Sequence, residues 1–261
     1  MIPTPAEAYE QYLVPAIFEP WATKVLRAHP PKPGSRVLDV ACGTGIAARS
    51  TAALVGGTGR VDGVDADEAM LAVARRAHAH DGARLAWHHA SALELPFEAG
   101  RFDAVLCFEG LQFFADRALA VREVRRVLRP GGMFLGTVWG PLAENPAYEA
   151  LAVGLRRLVS DDAARLAPFT LTDAGEIRTL VRGGRFTEVS VTLERLSIAA
   201  PSAELLVEWV AAGAPTVRHN LARLPESQRR EFMDLVTTRL ARYGTEAGLS
   251  VPSARNVIVA R

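Results

Sequence analysis

Arg36-Val-Leu-Asp39-Val-Ala-Cys-Gly43-Thr-Gly45 is the stretch whose reading decides the fold of this chain. Its first five residues are mostly apolar, the pattern of a short strand buried in a parallel sheet. Asp39 stands at the C-terminal end of that strand, where open α/β sheets hold their ligands. Gly43 and Gly45 permit a tight turn and let a ligand approach bare backbone. Ile46–Val55, rich in Ala, Leu and Val, reads as the following helix, and its first N–H groups point at the same volume. A carboxylate, bare backbone and a helix N-terminus therefore converge. That combination suits a ligand with a cationic end and a polar body beside it.

Outward from this stretch, strand and helix signals alternate. Gly56, Gly57 and Gly59 turn the chain into a second strand at 60–64. Residues 67–80 read as a helix with Asp67 as N-cap and Met70, Leu71 and Val73 on its apolar side. Strands are expected at 84–88, Phe102–Phe108 and 133–139, with an amphipathic helix at 118–128 stopped by Pro130-Gly131-Gly132. This alternation predicts right-handed crossovers and a doubly wound sheet covered by helices on both faces. Upstream, residues 6–28 have helical spacing interrupted at Pro15 and Pro20, which predicts two short helices. Downstream of Pro141 the pattern changes: helices at 146–159, 173–182, 203–212 and 226–243, strands at 186–196 and 253–260. The expected fold is α/β and Rossmann-like, a seven-stranded, mostly parallel sheet with its last strand antiparallel. N-terminal helices precede it, and a helical cap is inserted between the last two strands, over the C-terminal ends of the sheet.

Composition narrows the class of protein. Of the 261 residues 49% are hydrophobic and 23% charged, as in a soluble globular domain. A net charge of +1 gives no electrostatic case for nucleic acid or an anionic membrane. No apolar run approaches the ~18 residues of a membrane span, and the first residues lack the basic-then-apolar pattern of a signal segment. Cys42 and Cys107 are too few for a disulfide framework or a metal site. Both fall near the C-terminal ends of neighbouring strands, where two buried, inert thiols are expected in preference to a redox pair. The expectation is a cytoplasmic, reduced protein without a metal.

Gly43-x-Gly45-x-x-Ala48 also fits the dinucleotide fingerprint, and Asp65 follows Gly45 by 20 residues, the place of a ribose-binding acid. These features alone do not separate nicotinamide dinucleotides from other adenosine ligands. Asp39 does, because an acid there repels a pyrophosphate and holds an ammonium. S-adenosylmethionine, with its ammonium, ribose diol and adenine and no phosphate, fits the set better.

Together these segments resemble the class I S-adenosylmethionine-dependent methyltransferases: residues 37–45, then Val61-Asp-Gly-Val-Asp65-Ala-Asp-Glu-Ala-Met70-Leu. Ala90-Ser-Ala-Leu-Glu-Leu-Pro96-Phe97, Phe102-Asp-Ala-Val-Leu-Cys-Phe-Glu-Gly-Leu-Gln112-Phe-Phe and Val127-Leu-Arg-Pro-Gly-Gly132 narrow the resemblance. They look like the small-molecule group related to ubiquinone and menaquinone methyltransferases (methyltransferase type 11). Over residues 6–139 five motifs stand in order; beyond that only the general layout matches. The resemblance implies one methyltransferase domain over 1–261, with an N-terminal helical lid at 1–33, a cofactor-binding core at 34–140, and the last strands with a substrate cap at 141–261.

It also implies roles, residue by residue. Asp39 sits beneath the methionine ammonium; Ala41, Gly43, Thr44 and Gly45 line the methionine part; Asp65 takes both ribose hydroxyls. Ala66 and Met70 pack on adenine, Met70 being equally well placed as helix core. Ser91 occupies the position where the family often has an acid that accepts from the adenine amino group, so Ala92 and Leu93 are alternative contacts through their backbone. Phe108 borders the sulfonium. Tyr9 and Tyr12, from an aromatic-rich segment that includes Phe18 and Trp21, are candidate substrate contacts, as are Gln112 and Trp209. Glu109 and Gln112 follow the fourth strand and either face the pocket or serve as surface or capping residues. His88 and His89 are expected to be structural, and His219 lies in the cap beside Arg218 and Asn220.

Methyl transfer from a sulfonium is an in-line displacement that depends on alignment in a dry pocket, and no catalytic base is assigned from the sequence. The resulting expectation is a methyltransferase acting on an oxygen, carbon or nitrogen nucleophile of a small, partly apolar metabolite. Neither the acceptor nor the oligomeric state is legible. A nucleic-acid substrate is disfavoured by charge, and Phe108-Glu-Gly-Leu stands where many amino-methylating enzymes have Asn/Asp-Pro-Pro-aromatic. The alternatives are a nicotinamide-dependent oxidoreductase and a non-catalytic adenosine-ligand binding protein.

Overall fold

A computed structural model describes residues 3–77, 84–213 and 215–261. Its strands are β1 (Arg36–Val40), β2 (Arg60–Asp65), β3 (Arg84–His89), β4 (Phe102–Phe108), β5 (Leu128–Trp139), β6 (Val189–Ala200), β7 (Gly244–Thr245) and β8 (Gly248–Ala260). Among the described residues they form one sheet in the order β3-β2-β1-β4-β5-β8-β6, with the two-residue β7 paired to the start of β8. Neighbours from β3 to β5 run parallel, and β8 is antiparallel to both β5 and β6. The α/β, Rossmann-like sheet with an antiparallel last strand is therefore as expected, and β7 is the addition.

The apolar run of β1 explains its central place. Val37 packs in one core with Leu106 and Leu135, while Leu38 and Val40 pack in a second core with Val105 and Phe134. Alternate side chains thus enter opposite faces, and both faces are dry, as a parallel sheet requires. Helices cover them: α1 (Pro5–Ala8), α2 (Glu19–Ala28), α3 (Ile46–Val55), α4 (Glu68–Arg76), α5 (Arg117–Val127), α6 (Pro146–Leu158), α7 (Ala174–Gly183), α8 (Ala203–Gly213), α9 (Pro215–Ala222) and α10 (Glu226–Leu240). Asp67 caps α4 by accepting from the Ala69 N–H at 2.8 Å. The last residues of the helix expected at 67–80 lie outside the described residues.

Three local expectations change. The two N-terminal helices are one continuous run, because Tyr9–Phe18 winds as a π-helix joining α1 to α2. Pro15 lies inside that wide winding and Pro20 in the first turn of α2, where a missing N–H costs least. β5 begins at Leu128, before Pro130-Gly131-Gly132, with a register shift against β4 between Phe102 and Ala104. Gly131, at φ 73°, takes the left-handed conformation there, so the triplet shapes a bulge within the strand. Residues 215–222, without a strong signal in the sequence, form α9.

Register also places the cap. β5 ends at Trp139 opposite Arg255, whereas β6 and β8 stay paired from Arg195↔Ala254 to Ala200↔Leu249. Their hairpin projects past the C-terminal end of β5, and α8, α9 and α10 are inserted between its arms. Asn145, buried ahead of α6, holds this projection to the sheet. Its Nδ2 donates to the Pro141 carbonyl at 3.0 Å, and its Oδ1 accepts from the Ala254 N–H at 3.0 Å.

Candidate functional site

In the strand order β1 and β4 are neighbours whose connections leave to opposite sides, which opens a crevice at their C-terminal ends. Backbone conformation is special at that point. Ala41 (φ 57°) and Glu109 (φ 53°), just beyond β1 and β4, are both left-handed without being glycine. Such residues are costly to hold and gather at functional sites. Gly45 caps α3 at φ 87°, and a Cβ there would collide with the indole of Trp87 on β3. The Gly45 N–H donates to the Cys42 carbonyl at 2.8 Å, and the Cys42 N–H to the Val64 carbonyl at 3.0 Å. Trp87 is the floor of this turn, a role the sequence did not announce.

Two acids face the crevice. Asp39 is 1% exposed, and its Oδ2 has no partner among the described residues. Burial pushes its carboxyl up to about 8, against the Ala48 N–H, which lowers it, while nearby Asp65 adds to the rise. Asp65 Oδ2 accepts from the Gly43 N–H at 2.7 Å and Oδ1 from the Asp67 N–H at 2.8 Å, so this carboxylate joins the turns after β1 and β2. Burial raises its pKa too. Thr44 is buried, and its Oγ1 has no partner among the described residues. An ammonium beside Asp39 and hydroxyl donors beside Asp65 would complete these groups, each carboxylate oxygen having a further lone pair to offer.

The remaining residues singled out in the sequence surround the same end of the sheet. Ala66 is exposed in the turn after β2, and its carbonyl meets His89 Nε2 at 2.9 Å. Met70 is half-buried on α4, outside the buried set of Leu71, Val73 and Ala74. Ser91 is exposed and its Oγ accepts from the Leu93 N–H at 3.1 Å; Ala92 is buried and Leu93 half-buried. Phe108, at the end of β4, is half-buried. His88 Nε2 lies 2.8 Å from buried Asp62, which Arg60 also binds, so it belongs to a structural network. His219, on α9, accepts from Arg223 at 3.3 Å. Cys42 and Cys107 are free and buried, and burial raises both thiols well above the ordinary range. No cluster of metal-ligating side chains occurs among the described residues.

The N-terminal run is clasped to this site. Glu10 pairs with Arg49 of α3 at 2.7 Å, and Arg49 also donates to the Thr44 carbonyl; Glu7 pairs with Arg76 of α4 at 3.0 Å. Tyr9 stacks on Phe18 with centroids 4.8 Å apart, and its hydroxyl is pushed well above its usual range, first by burial and then by the charge of Glu109. Tyr12 stacks on Trp209 of α8 at 6.3 Å, so two residues nominated independently meet between the N-terminal run and α8. Trp21, by contrast, is core. Gln112 is buried: its Nε2 donates to the Glu109 carbonyl at 2.8 Å, and its Oε1 is unpartnered among the described residues.

Glu109 was one of two open readings in the sequence, and here it faces inward. Its Oε1 accepts from Arg255 Nε at 2.9 Å and from Thr137 Oγ1 at 2.9 Å. Arg255, on β8, is fully buried, with its Cζ 3.1 Å from the centroid of the Trp139 ring and 5.2 Å from that of Trp21. Sequence reasoning passed over Arg255. Its one signal was a lone charged residue inside the final strand.

The fold and this crevice are those of a Rossmann-like α/β sheet that holds a ligand at its strand ends. Residues 37–132 match the family model described as a methyltransferase domain. A demethylmenaquinone methyltransferase of Staphylococcus aureus is 38% identical over 127 residues, 48% of this chain and 49% of that protein. The chain thus spans about half the length of the curated relatives it matches. A putative methyltransferase from an antibiotic biosynthesis pathway of Anabaena variabilis superposes with a TM-score of 0.65 at 14% identity, covering 93% of this chain and 96% of that one. The phosphoethanolamine N-methyltransferase 2 of Haemonchus contortus, in complex with S-adenosyl-L-methionine, superposes with a TM-score of 0.57 at 21% identity, covering 93% and 52%. At those identities the structural likeness speaks for the fold.

Proposed function

We propose that this chain is an S-adenosylmethionine-dependent methyltransferase acting on a small, partly apolar metabolite. The observation that carries the reading is the unpartnered Oδ2 of fully buried Asp39, beside the left-handed glycine turn and Asp65, at the β1/β4 crevice. A buried acid with an empty acceptor position calls for a cation. The nicotinamide alternative would bring a pyrophosphate to that place.

In this reading the cofactor supplies an electrophilic methyl group on a sulfonium. The chain does the rest. Asp39 neutralises the methionine ammonium, Ala41, Gly43, Thr44 and Gly45 bound the methionine part, and Asp65 takes the ribose hydroxyls. Ala66, Met70, Ser91, Ala92 and Leu93 surround the adenine, and Phe108 borders the reacting end. Residues 1–33 form a lid, 34–140 the cofactor-binding core and 141–261 the substrate cap, with Tyr9, Tyr12, Gln112 and Trp209 toward the acceptor. Exclusion of water by lid and cap holds nucleophile and methyl in line. Two unpaired thiols suit a reducing compartment such as the cytoplasm.

The test is incubation with methyl-labelled S-adenosylmethionine and a panel of phenols, enols, amines and activated-carbon compounds. Label in an acceptor, with release of S-adenosylhomocysteine, is the expected result. Cofactor binding without label in any acceptor would instead favour a non-catalytic adenosine-ligand protein.

A further inference from the structure

The end of the sheet opposite the crevice holds a cavity that the proposed function does not use. β1, β4 and β5 run parallel and begin at that edge, and antiparallel β8 ends there, so four chain segments meet. Between them lies a cavity of about 180 Å³, walled by Lys32 and Ser35 ahead of β1, Asp103 on β4, Arg129 on β5 and Arg261 after β8. Pro31 and Met133 add apolar wall. Asp39 stands four residues beyond Ser35, about 13 Å along the strand, so this cavity is separate from the crevice.

Its charges do not cancel. Asp103 is the one acidic side chain in the lining, and both of its oxygens are taken: Oδ1 by Arg129 Nη1 at 2.5 Å, Oδ2 by the Arg36 N–H at 2.6 Å. Lys32 is exposed with no acidic partner among the described residues, and Arg261 has only the exposed Glu188 at 3.7 Å. The main-chain oxygen of Arg261 is occupied, accepting from the N–H groups of Thr187 at 2.9 Å and Glu188 at 3.2 Å. Ser35 is only 8% exposed, and its hydroxyl has no hydrogen-bond partner among the described residues. A buried hydroxyl left unpaired is costly, and this one belongs to the wall of a space lined by cations.

The same edge stays basic beyond the cavity. Arg36, Arg60 and Arg84 open β1, β2 and β3 in register with one another, and Arg101 stands just ahead of β4. Asp62 binds Arg60 at 3.0 Å and lies 3.9 Å from Arg101, while Arg36 and Arg84 have no acidic partner among the described residues. The net charge of +1 is therefore unevenly spread, with cations gathered where the strands begin.

We propose that this cavity binds a phosphate group, carried by a small soluble compound or by a lipid head group. Lysine, arginine and hydroxyl donors reach it from separate segments, which suits a tetrahedral anion with several free oxygens better than a planar carboxylate. Its volume is below the ~300 Å³ at which sites for whole small molecules begin, so it admits the phosphate and not the body that carries it. Nothing in this site depends on the methyltransferase reading.

The experiment is calorimetric titration of the full chain with inorganic phosphate, phenyl phosphate and acetate at fixed ionic strength. Sedimentation with phosphatidylcholine vesicles, with and without phosphatidic acid, runs beside it. Saturable phosphate binding is expected, about 10-fold tighter than that of acetate. Lys32→Ala combined with Arg261→Ala should weaken it by about 10-fold or more, and Ser35→Ala by about threefold. Both cations are exposed, so the double variant is expected to fold, which its melting temperature checks. Arg122→Ala removes an exposed cation of α5 outside the cavity and should leave the affinity within about twofold. Phosphate compounds bound without vesicles assign a soluble ligand; sedimentation that requires phosphatidic acid and is lost in the double variant assigns a lipid head group. Either result supports the site. No binding of any phosphate probe, acetate bound as tightly as phosphate, or an equal loss in Arg122→Ala overturns it. Full retention of phosphate by the double variant, an adventitious ion only, overturns it too.

Discussion

A buried carboxyl with one empty acceptor position makes Asp39 the most informative single residue in this molecule. Its folded pKa, raised to about 8, lies above the unfolded value of 3.8, so between those values the folded chain holds a proton that the unfolded chain has lost. Stability from this group is therefore full below the unfolded pKa and drains away as pH rises towards 8. Thermal melts of the ligand-free protein at pH 5.5 and pH 8 should show a fall for wild type that Asp39→Asn reduces. S-adenosylmethionine should recover stability at pH 8 in wild type and much less in the variant, because its ammonium meets an ionised partner only in wild type. A fall that is the same in both proteins would mean that the Asp39 carboxyl is not the titrating group. Asp39, Gly43, Gly45 and Asp65 were legible because each residue type has a physical job at a strand end. Trp87 and Arg255 were not: one serves by lying beneath a glycine, the other by meeting Glu109 across 146 positions of sequence.

At the scale of elements, periodicity found the strands because their apolar runs are buried on both faces. β1 and β4 fall on their expected residues, and β2 and β3 extend one residue further. Proline misled the reading at the N-terminus, since it forbids an ordinary helical hydrogen bond but not the wider winding at Tyr9–Phe18. Three side-chain contacts tie that run to its neighbours, Glu7–Arg76, Glu10–Arg49 and the Tyr12–Trp209 stack, while Leu13, Ile17 and Trp21 are buried in the core. The first two are ion pairs with partial exposure, each worth little alone, so the N-terminal run, the lid in the proposed function, should open more readily than the sheet. Hydrogen exchange with and without S-adenosylhomocysteine should show protection gained over residues 5–28, with the N–H groups of β1 and β4 slow in both states. Unchanged exchange over 5–28 with the ligand bound would remove the lid from the account.

For the whole molecule, the strand order β3-β2-β1-β4-β5-β8-β6 sets a crevice at the C-terminal edge, and the projecting β6–β8 hairpin carries α8, α9 and α10 between its arms. The turns and acids of the proposed cofactor half were readable because such turns and acids leave a pattern in sequence. The surroundings of Glu109 were not, being assembled from Thr137, Tyr148 and Arg255, which come from separated segments. The central claim is that this crevice binds S-adenosylmethionine through Asp39 and Asp65. Calorimetric titration of S-adenosylmethionine into wild type and a folded Asp65→Asn variant, with NAD(H) as the control ligand, tests it most directly. The account predicts binding to wild type, weakening of about 10-fold or more in the variant, and no binding of NAD(H). Wild type that ignores S-adenosylmethionine, or a variant that binds it equally well, would contradict it.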